Sequence, residues 1–398
     1  MDDFHVLIVG AGITGLLVAQ ALKKASEALE HPQANITYTI FEREDSAEAY
    51  RVRLWGLSIH WSSPLLKKIL PEDLWSRIHE AQCDPHYKNP EVEHLNIYDG
   101  STGDKLNDMP EPQHMRFNRS RMRAFCAQGI DVQYGKKVSS IVPSENGKTV
   151  TVSFADGSSV TGSLLVGADG TNSKVRHLLL GEEKAVAQTA STPDEPFVFT
   201  NHTVQYPKAE QALFLRQLHP TFYVGLHPDG AFFWLFSCWR GEAPANPRNA
   251  LPELKAWTSK LVDPWKSAIE WLPDNEAVET QKIAYWDPVE RDNWGGRVTL
   301  AGDAAHPMVP FRGQGLSHCI ADVASLTAQL QAHLHESKPL ADAINEYDAE
   351  VVARAGDEVK TSLQSMKFLM TWDLVEQSPS FTRSIDPNEA ALKILGRS

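Results

Sequence analysis

The stretch HVLIVGAGITGLLVAQAL, His5 to Leu22, constrains the fold more than any other part of this chain. Val6 to Val9 read as a short buried strand, Gly10, Gly12 and Gly15 follow at once, and an apolar helical pattern begins at Thr14. Each glycine answers a separate steric demand. Gly10 lets the chain turn sharply off the strand, Gly12 lets bare backbone approach a pyrophosphate, and Gly15 lets the helix pack tightly on the strand. The helix N-terminus, with Ile13 and Thr14 at its start, offers free N–H groups and partial positive charge to phosphate. The motif predicts dinucleotide binding and leaves the choice of dinucleotide open.

A second strand is predicted over Ile36 to Glu42 (ITYTIFE), ending in an acid 27 residues after Gly15. The usual interval is about 20 residues, and the polar insert Ser26 to Asn35 accounts for the excess. At the C-terminal end of a strand, the Glu42 carboxylate can accept the hydroxyls of an adenosine ribose. Next, AYRVRLWGLSIHW, Ala49 to Trp61, carries Arg51 and Arg53 near the expected cofactor, where guanidinium groups pair well with phosphate. Helices broken at Pro71 are expected over residues 64–82, and a hairpin turning at Asp99 and Gly100 over residues 93–107. FNRSRMRAFC, Phe117 to Cys126, reads as another helix with Arg119 and Arg123 on one face.

Strands over Lys137 to Val142 and Thr149 to Phe154 lead through an Asp156-Gly157 turn to Leu164–Val166, a run apolar enough for burial on both faces. That run ends in Gly167-Ala168-Asp169-Gly170, a loop able to lie beside a ligand. From about residue 181 to 290 the chain reads as antiparallel sheet with helices, and segments such as AFFWLFSCWR suit ordinary aromatic core and equally the wall of a pocket for a flat organic substrate. A buried strand then runs from Val298 to Ala301 into Gly302-Asp303, a Pro- and Gly-rich loop, and a long helix from about Ser317. Gly313, Gln314 and Gly315 precede that helix and leave its N–H groups open to a ligand. Asp303 suits the hydroxyl groups of that ligand rather than its phosphates.

Composition narrows the partners. The formal charge of −13, with no basic block, argues against nucleic acid. Cys83, Cys126, Cys238 and Cys319 form no CxxC pair, so reduced thiols are expected, with neither a zinc site nor a disulfide framework. No apolar run approaches the roughly 20 residues of a membrane helix, and the N-terminus lacks the pattern of a signal peptide. A cytoplasmic protein without membrane insertion is expected, and 398 residues predict two or three domains.

GAGITG at Gly10 to Gly15, the Asp169-Gly170 pair and GDAAHPMVPFRGQG at Gly302 to Gly315 occur in the order found in a known family. The chain resembles the single-component FAD-dependent aromatic hydroxylases, the group A flavin monooxygenases, and RLWGLSIHW resembles their fungal secondary-metabolism branch. The resemblance implies an α/β fold. A discontinuous Rossmann-like FAD-binding domain (1–90, 115–180 and 290–398) would carry a mixed or antiparallel β-sheet substrate domain (91–114 and 181–289). It implies that Gly10, Gly12, Ile13, Thr14 and Gly15 line the FAD pyrophosphate and that Glu42 holds the adenosine ribose. Arg53 and Gly56 would lie along the cofactor, Arg119 near its phosphate and ribityl region, and Asp303 on a ribityl hydroxyl. Gly315 and Leu316 would offer N–H groups to the pyrimidine end of the flavin, and Asp169 is linked to both FAD and NAD(P)H. Ser317 and Val309 depart from the family, which often has Asn and Pro there.

The resemblance also implies a cycle. NAD(P)H reduces the flavin, O2 adds at flavin C4a, and the hydroperoxide hydroxylates or epoxidises an aromatic or polycyclic small molecule. No acid–base pair is required by that cycle, so His60, His306 and His318 are read as structural. An oxidase or oxidative cyclase would use the same cofactor site, and a non-catalytic FAD-binding scaffold would need no reductant. What reduces the flavin separates the three readings.

Overall fold

The strand Phe4–Val9 lies at the centre of a five-stranded parallel sheet in the order Val298–Leu300, Leu164–Gly167, Phe4–Val9, Ile36–Phe41, Val132–Gln133. The computed structural model describes residues 4–27, 36–49, 55–233, 237–240, 246–382 and 386–395. Val6, Leu7 and Ile8 are fully buried, as a central strand covered on both faces must be. The helices Ile13–Glu27 and Gly315–His335 join the core around this sheet. A small antiparallel sheet of Val138–Pro143, Val150–Phe154 and Ser159–Gly162 also packs there, so closely that a Cβ on Gly162 would lie 2.7 Å from Leu7 Cγ.

A six-stranded sheet is built from two distant parts of the chain, Val92–Asp99 with Lys105–Pro112 and four strands between Phe197 and Arg240. Its pairs are antiparallel except Val224–His227 against Val92–Asp99. Period-two alternation sorts its side chains into two cores. Val198, Ala231 and Phe233 pack with Leu251, Leu254, Trp257 and Trp265 on one face. Phe197, Phe199, Phe232, Val224 and Leu226 on the other meet Val309 and Phe311 of the Pro-rich loop, with Met366 and Leu369. The 30-residue helix Leu340–Leu369 spans both regions. Its Tyr347 hydroxyl donates to Leu300 O at 2.9 Å near one end, and Met366 joins the aromatic cluster near the other.

Local readings needed two adjustments. Met115–Asn118 is a strand, pairing antiparallel with Gly56–Ile59, so the helix begins at Arg119 rather than Phe117. Asn118 Oδ1 caps it by accepting from the Arg121 N–H at 3.0 Å, a role Asn fills well. The late helix starts at Gly315, two residues before Ser317. The chain reaches it through Gly313 in the left-handed region at φ +65°. Cys126 and Cys319 are buried free thiols and Cys83 is half-buried; burial pushes the Cys126 thiol up to about 12. Among the described residues no helix is long and apolar enough to cross a membrane.

A buried ion network locks the late loop to the two long helices. Asp322 Oδ2 accepts from the Gly302 N–H at 2.7 Å and pairs with His306 Nε2 at 2.6 Å, while Oδ1 accepts from Arg354 Nη2 at 2.7 Å. Burial would raise the Asp322 carboxyl, but His306 and Arg354 outweigh it and hold the group well below the usual carboxylate range. His318, buried beside Arg354, is pushed well down and stays neutral. A carboxyl depressed by folding contributes stability above its unfolded value, near pH 4, and loses it as pH falls toward the depressed value. Asp322→Asn is expected to cost about 3–5 kcal/mol in denaturant unfolding at neutral pH. The gap to wild type should narrow below about pH 4; equal midpoints at neutral pH would show that the network does not hold the loop.

Candidate active site

In the parallel sheet Val9 pairs with Phe41 and Gly167, and Gly167 pairs with Leu300, so four strands end along one edge. The turns that follow them carry Gly10, Glu42, Asp169 and Asp303. The carboxyl ends of parallel strands are where this architecture binds ligands.

The first turn is tightly constrained. Gly10 adopts φ +105°, and a Cβ there would lie 2.5 Å from Ala168 O. A Cβ on Gly15 would lie 2.0 Å from Gly10 O, so helix and turn touch backbone to backbone. Between these glycines the Ala11 peptide is held from both sides. Its N–H donates to Glu42 Oε2 at 2.9 Å, and its carbonyl accepts from Arg123 Nε at 2.9 Å. Glu42 Oε1 accepts from the Arg43 N–H at 2.8 Å. Oε1 also accepts from the Glu44 N–H at 3.2 Å, so Oε2, with a single donor, is the oxygen that retains capacity for a further one such as a ribose hydroxyl. Reading the sequence paired Arg123 with Arg119 on a helix face, but the structure buries Arg123 against the glycine turn. Its signal was the arginine repeat, which gives no direction.

Asp169 also organises its own loop. Its carboxylate accepts from Ser173 Oγ at 2.5 Å, Lys174 N–H at 2.6 Å and Val175 N–H at 3.2 Å, shaping the start of the helix Lys174–Leu180. Burial pushes the Asp169 carboxyl up against the pull of these donors. Arg176, which the sequence reading passed over, then ties this loop to the late one. Its guanidinium donates to Thr171 O at 2.6 Å, Ala185 O at 2.9 Å and Ala304 O at 2.9 Å, and stacks 4.8 Å from the Trp286 ring.

Thr14 joins the two ends of the chain. Gly302 has φ +63°, and a Cβ there would lie 2.4 Å from Thr14 Oγ1. Asp303 follows directly and is exposed, while Leu316 is buried behind the helix start. Arg119 opens its helix with its N–H on Trp55 O at 3.1 Å and its guanidinium 5.8 Å from the Trp55 ring. Gly56 is accounted for by the chain itself: a Cβ there would meet Arg116 Nη2 at 2.5 Å. Arg51 and Arg53 lie outside the described residues.

Two glycines are explained by no internal packing. No heavy atom of the described residues lies within 4 Å of a Cβ built on Gly12 or Gly315, and neither has positive φ. Both flank helix starts at the strand-end edge, where backbone N–H groups face outward. Side-chain-free backbone at two helix N-termini, with exposed Asp303 between the glycine motifs, fits a dinucleotide carrying phosphates and sugar hydroxyls.

A family model described as FAD binding domain matches residues 111–362. The FAD-dependent monooxygenase phnB of Penicillium herquei is 39% identical, over 96% of this chain and 95% of its own. The FAD-dependent monooxygenase cctM of Talaromyces islandicus is 32% identical over 96% and 97%. Among solved structures, Klebsiella pneumoniae HpxO complexed with FAD and uric acid superposes with a TM-score of 0.71 at 20% identity, covering 99% of this chain and 95% of that one. CtdE in complex with FAD and a substrate gives 0.74 at 16% identity, covering 98% and 97%; both share the fold. By its match to the FAD binding domain over most of its length and by these relatives, the chain belongs to the FAD-dependent monooxygenases.

Proposed function

We propose that this enzyme uses NAD(P)H and O2 to hydroxylate or epoxidise an aromatic or polycyclic small molecule of secondary metabolism. The observation that carries the reading is the meeting of two surfaces. The Pro-rich loop after Asp303 places Val309 and Phe311 against Phe197, Phe199 and Phe232 of the six-stranded sheet, with the Phe232 and Phe311 rings 5.1 Å apart. A flat apolar substrate held between an aromatic sheet and the cofactor edge is desolvated and oriented.

Residues 1–90, 115–180 and 290–398 form the FAD-binding domain in this reading, and 91–114 with 181–289 the substrate-binding domain. The backbone of Gly10, Gly12, Ile13, Thr14 and Gly15 would receive the pyrophosphate, with Glu42 taking the adenosine ribose. Arg53, Gly56 and Arg119 would lie along the cofactor and Asp303 would take a ribityl hydroxyl. Gly315 and Leu316 would present N–H groups to the pyrimidine end of the flavin, where a helix N-terminus favours developing negative charge. Asp169 would act through the loop it caps. FAD held by these residues would supply the redox chemistry, with NAD(P)H as reductant and O2 as the source of one oxygen atom. The chain's part is to bind, to orient and to exclude water.

Gly12→Val tests the cofactor assignment. Because no described atom lies near the new side chain, the variant is expected to stay within about 0.5 kcal/mol of wild type in apoprotein unfolding. It should lose bound flavin, read from visible absorbance after reconstitution with FAD; full flavin content would refute the pyrophosphate assignment. The reaction class is tested by oxygen uptake with a panel of polycyclic phenols. Uptake that needs NADH or NADPH and places label from 18O2 in the product is expected, whereas peroxide formed from substrate without nicotinamide would establish an oxidase.

A further inference from the structure

The two-stranded ribbon of Gly56–Ile59 and Met115–Asn118 has two unlike faces. Leu57, Ile59, Met115 and Phe117 turn into the core of the parallel sheet. Alternation sends Ser58 and Arg116 to the opposite face, and His60 and His114 continue that face past the paired residues. This polar face meets the segment before Val224–His227: the His114 ring lies 5.1 Å and the Arg116 guanidinium 4.9 Å from the Phe222 ring. The seam between the two sheets is therefore lined by buried polar groups.

His60 is the one that links the two sheets to the helix start at Gly315. Its Nδ1 pairs at 2.7 Å with Oε2 of Glu111, which comes from the edge strand of the six-stranded sheet. Its backbone N–H donates to Ser317 Oγ at 3.3 Å, within the first turn after Gly315. Both side chains are nearly enclosed, at 10% and 14% exposure. Yet His60 Nε2 has no hydrogen-bond partner among the described residues, nor has His114 Nε2 in the ring 5.4 Å away. A buried nitrogen left unpaired is costly, and one held ready by a carboxylate on the far side of its ring is the arrangement of a base. His306 Nδ1 and His318 Nε2 are also unpaired, but those rings are enclosed around Asp322 and Arg354 within the ion network. Neither receives a group from the six-stranded sheet.

We propose that His60 is the general base of the reaction, with Glu111 fixing the Nδ1–H tautomer so that Nε2 accepts the proton of a phenolic hydroxyl on the substrate. The inference rests on the aromatic-substrate reading above and specifies that the substrate is a phenol. The O–H bond breaks, its electron pair stays on oxygen, and an Nε2–H bond forms. Glu111 balances the imidazolium. The phenolate drives electron density into the ring carbons ortho and para to it, where one atom of O2 replaces hydrogen; NAD(P)H supplies the two electrons, the second oxygen atom leaves as water, and loss of the ring proton restores aromaticity. Around the neighbouring His114, the same seam holds one fixed positive charge. His114 is pushed well down by burial and by neighbouring positive charge, so it is neutral. Arg116, lowered by burial to about 10, remains charged at neutral pH. His219 is turned away to Glu93, at 3.1 Å.

The holoenzyme with para-nitrophenol reads the proton directly, at a pH where the free phenol is mostly protonated. Wild type is expected to bind it with the phenolate band, and His60→Gln with the neutral-phenol band. With 1,3-dihydroxynaphthalene, kcat should fall about 100-fold in His60→Gln and about 10-fold in Glu111→Gln, at wild-type flavin content. A phenolate band and turnover that persist in His60→Gln overturn the base while leaving the aromatic reading intact. Wild-type enzyme that binds neither phenol overturns both. Should His60→Gln fail to hold flavin, Glu111→Gln decides, and turnover within twofold of wild type with the band unchanged overturns the dyad.

Discussion

The parallel register of the central sheet is the constraint on which the site depends. Val9 opposite Phe41 and Gly167, and Gly167 opposite Leu300, bring four chain segments to a stop along one line. The first N–H beyond each strand still bonds across the sheet, Gly10 to Phe41 O, Glu42 to Gln133 O, Ala168 to Val9 O and Ala301 to Gly167 O, and each segment turns away only after that bond. Segments from near residues 10, 42, 168 and 302 thereby share one edge, although nearly three hundred residues separate the first from the last. A one-residue slip of any strand would reverse its inward and outward faces and withdraw its turn from the edge.

At that edge the polypeptide is preorganised by groups that need never touch a ligand. Glu42 and Arg123 hold the two ends of the Ala11 peptide, Asp169 caps the helix that carries Arg176, and Arg176 bonds the backbone of the late loop. Asp322 fixes Gly302 from behind. These buried charges are paired or bonded to backbone, the carboxylates accepting from N–H groups and the guanidiniums donating to carbonyl oxygens, the condition under which a charge is tolerated away from water. A binding edge whose backbone is already in place spares the ordering cost on association.

The second sheet contributes what the first cannot. Its alternation leaves one aromatic face for helices and another for the loop after Asp303, and its edge strand delivers Glu111 to His60. The helix Leu340–Leu369 braces both sheets, so the seam between them is set by packing rather than by a flexible linker.

Much of this was legible in the sequence. The strand–glycine–helix opening, the acid closing the second strand, the Asp169 loop and the Gly302–Gly315 segment announce themselves because each needs particular residues at short range. Gly10 and Gly302 have no alternative at positive φ in contact with neighbouring atoms. The boundaries at Asn118 and Gly315 were less visible, since a capping residue and a left-handed glycine are local choices that neighbouring turns also offer. What only the tertiary structure decided were pairings across long separations. Arg123 went to the glycine turn, Arg176 to the late loop, Gly56 to Arg116, and His60 to Glu111 while His306 and His318 closed on the ion network. Periodicity states which face a side chain takes, but not what stands opposite it. That is set by how two sheets and a long helix pack, and sequence spacing carries no measure of it.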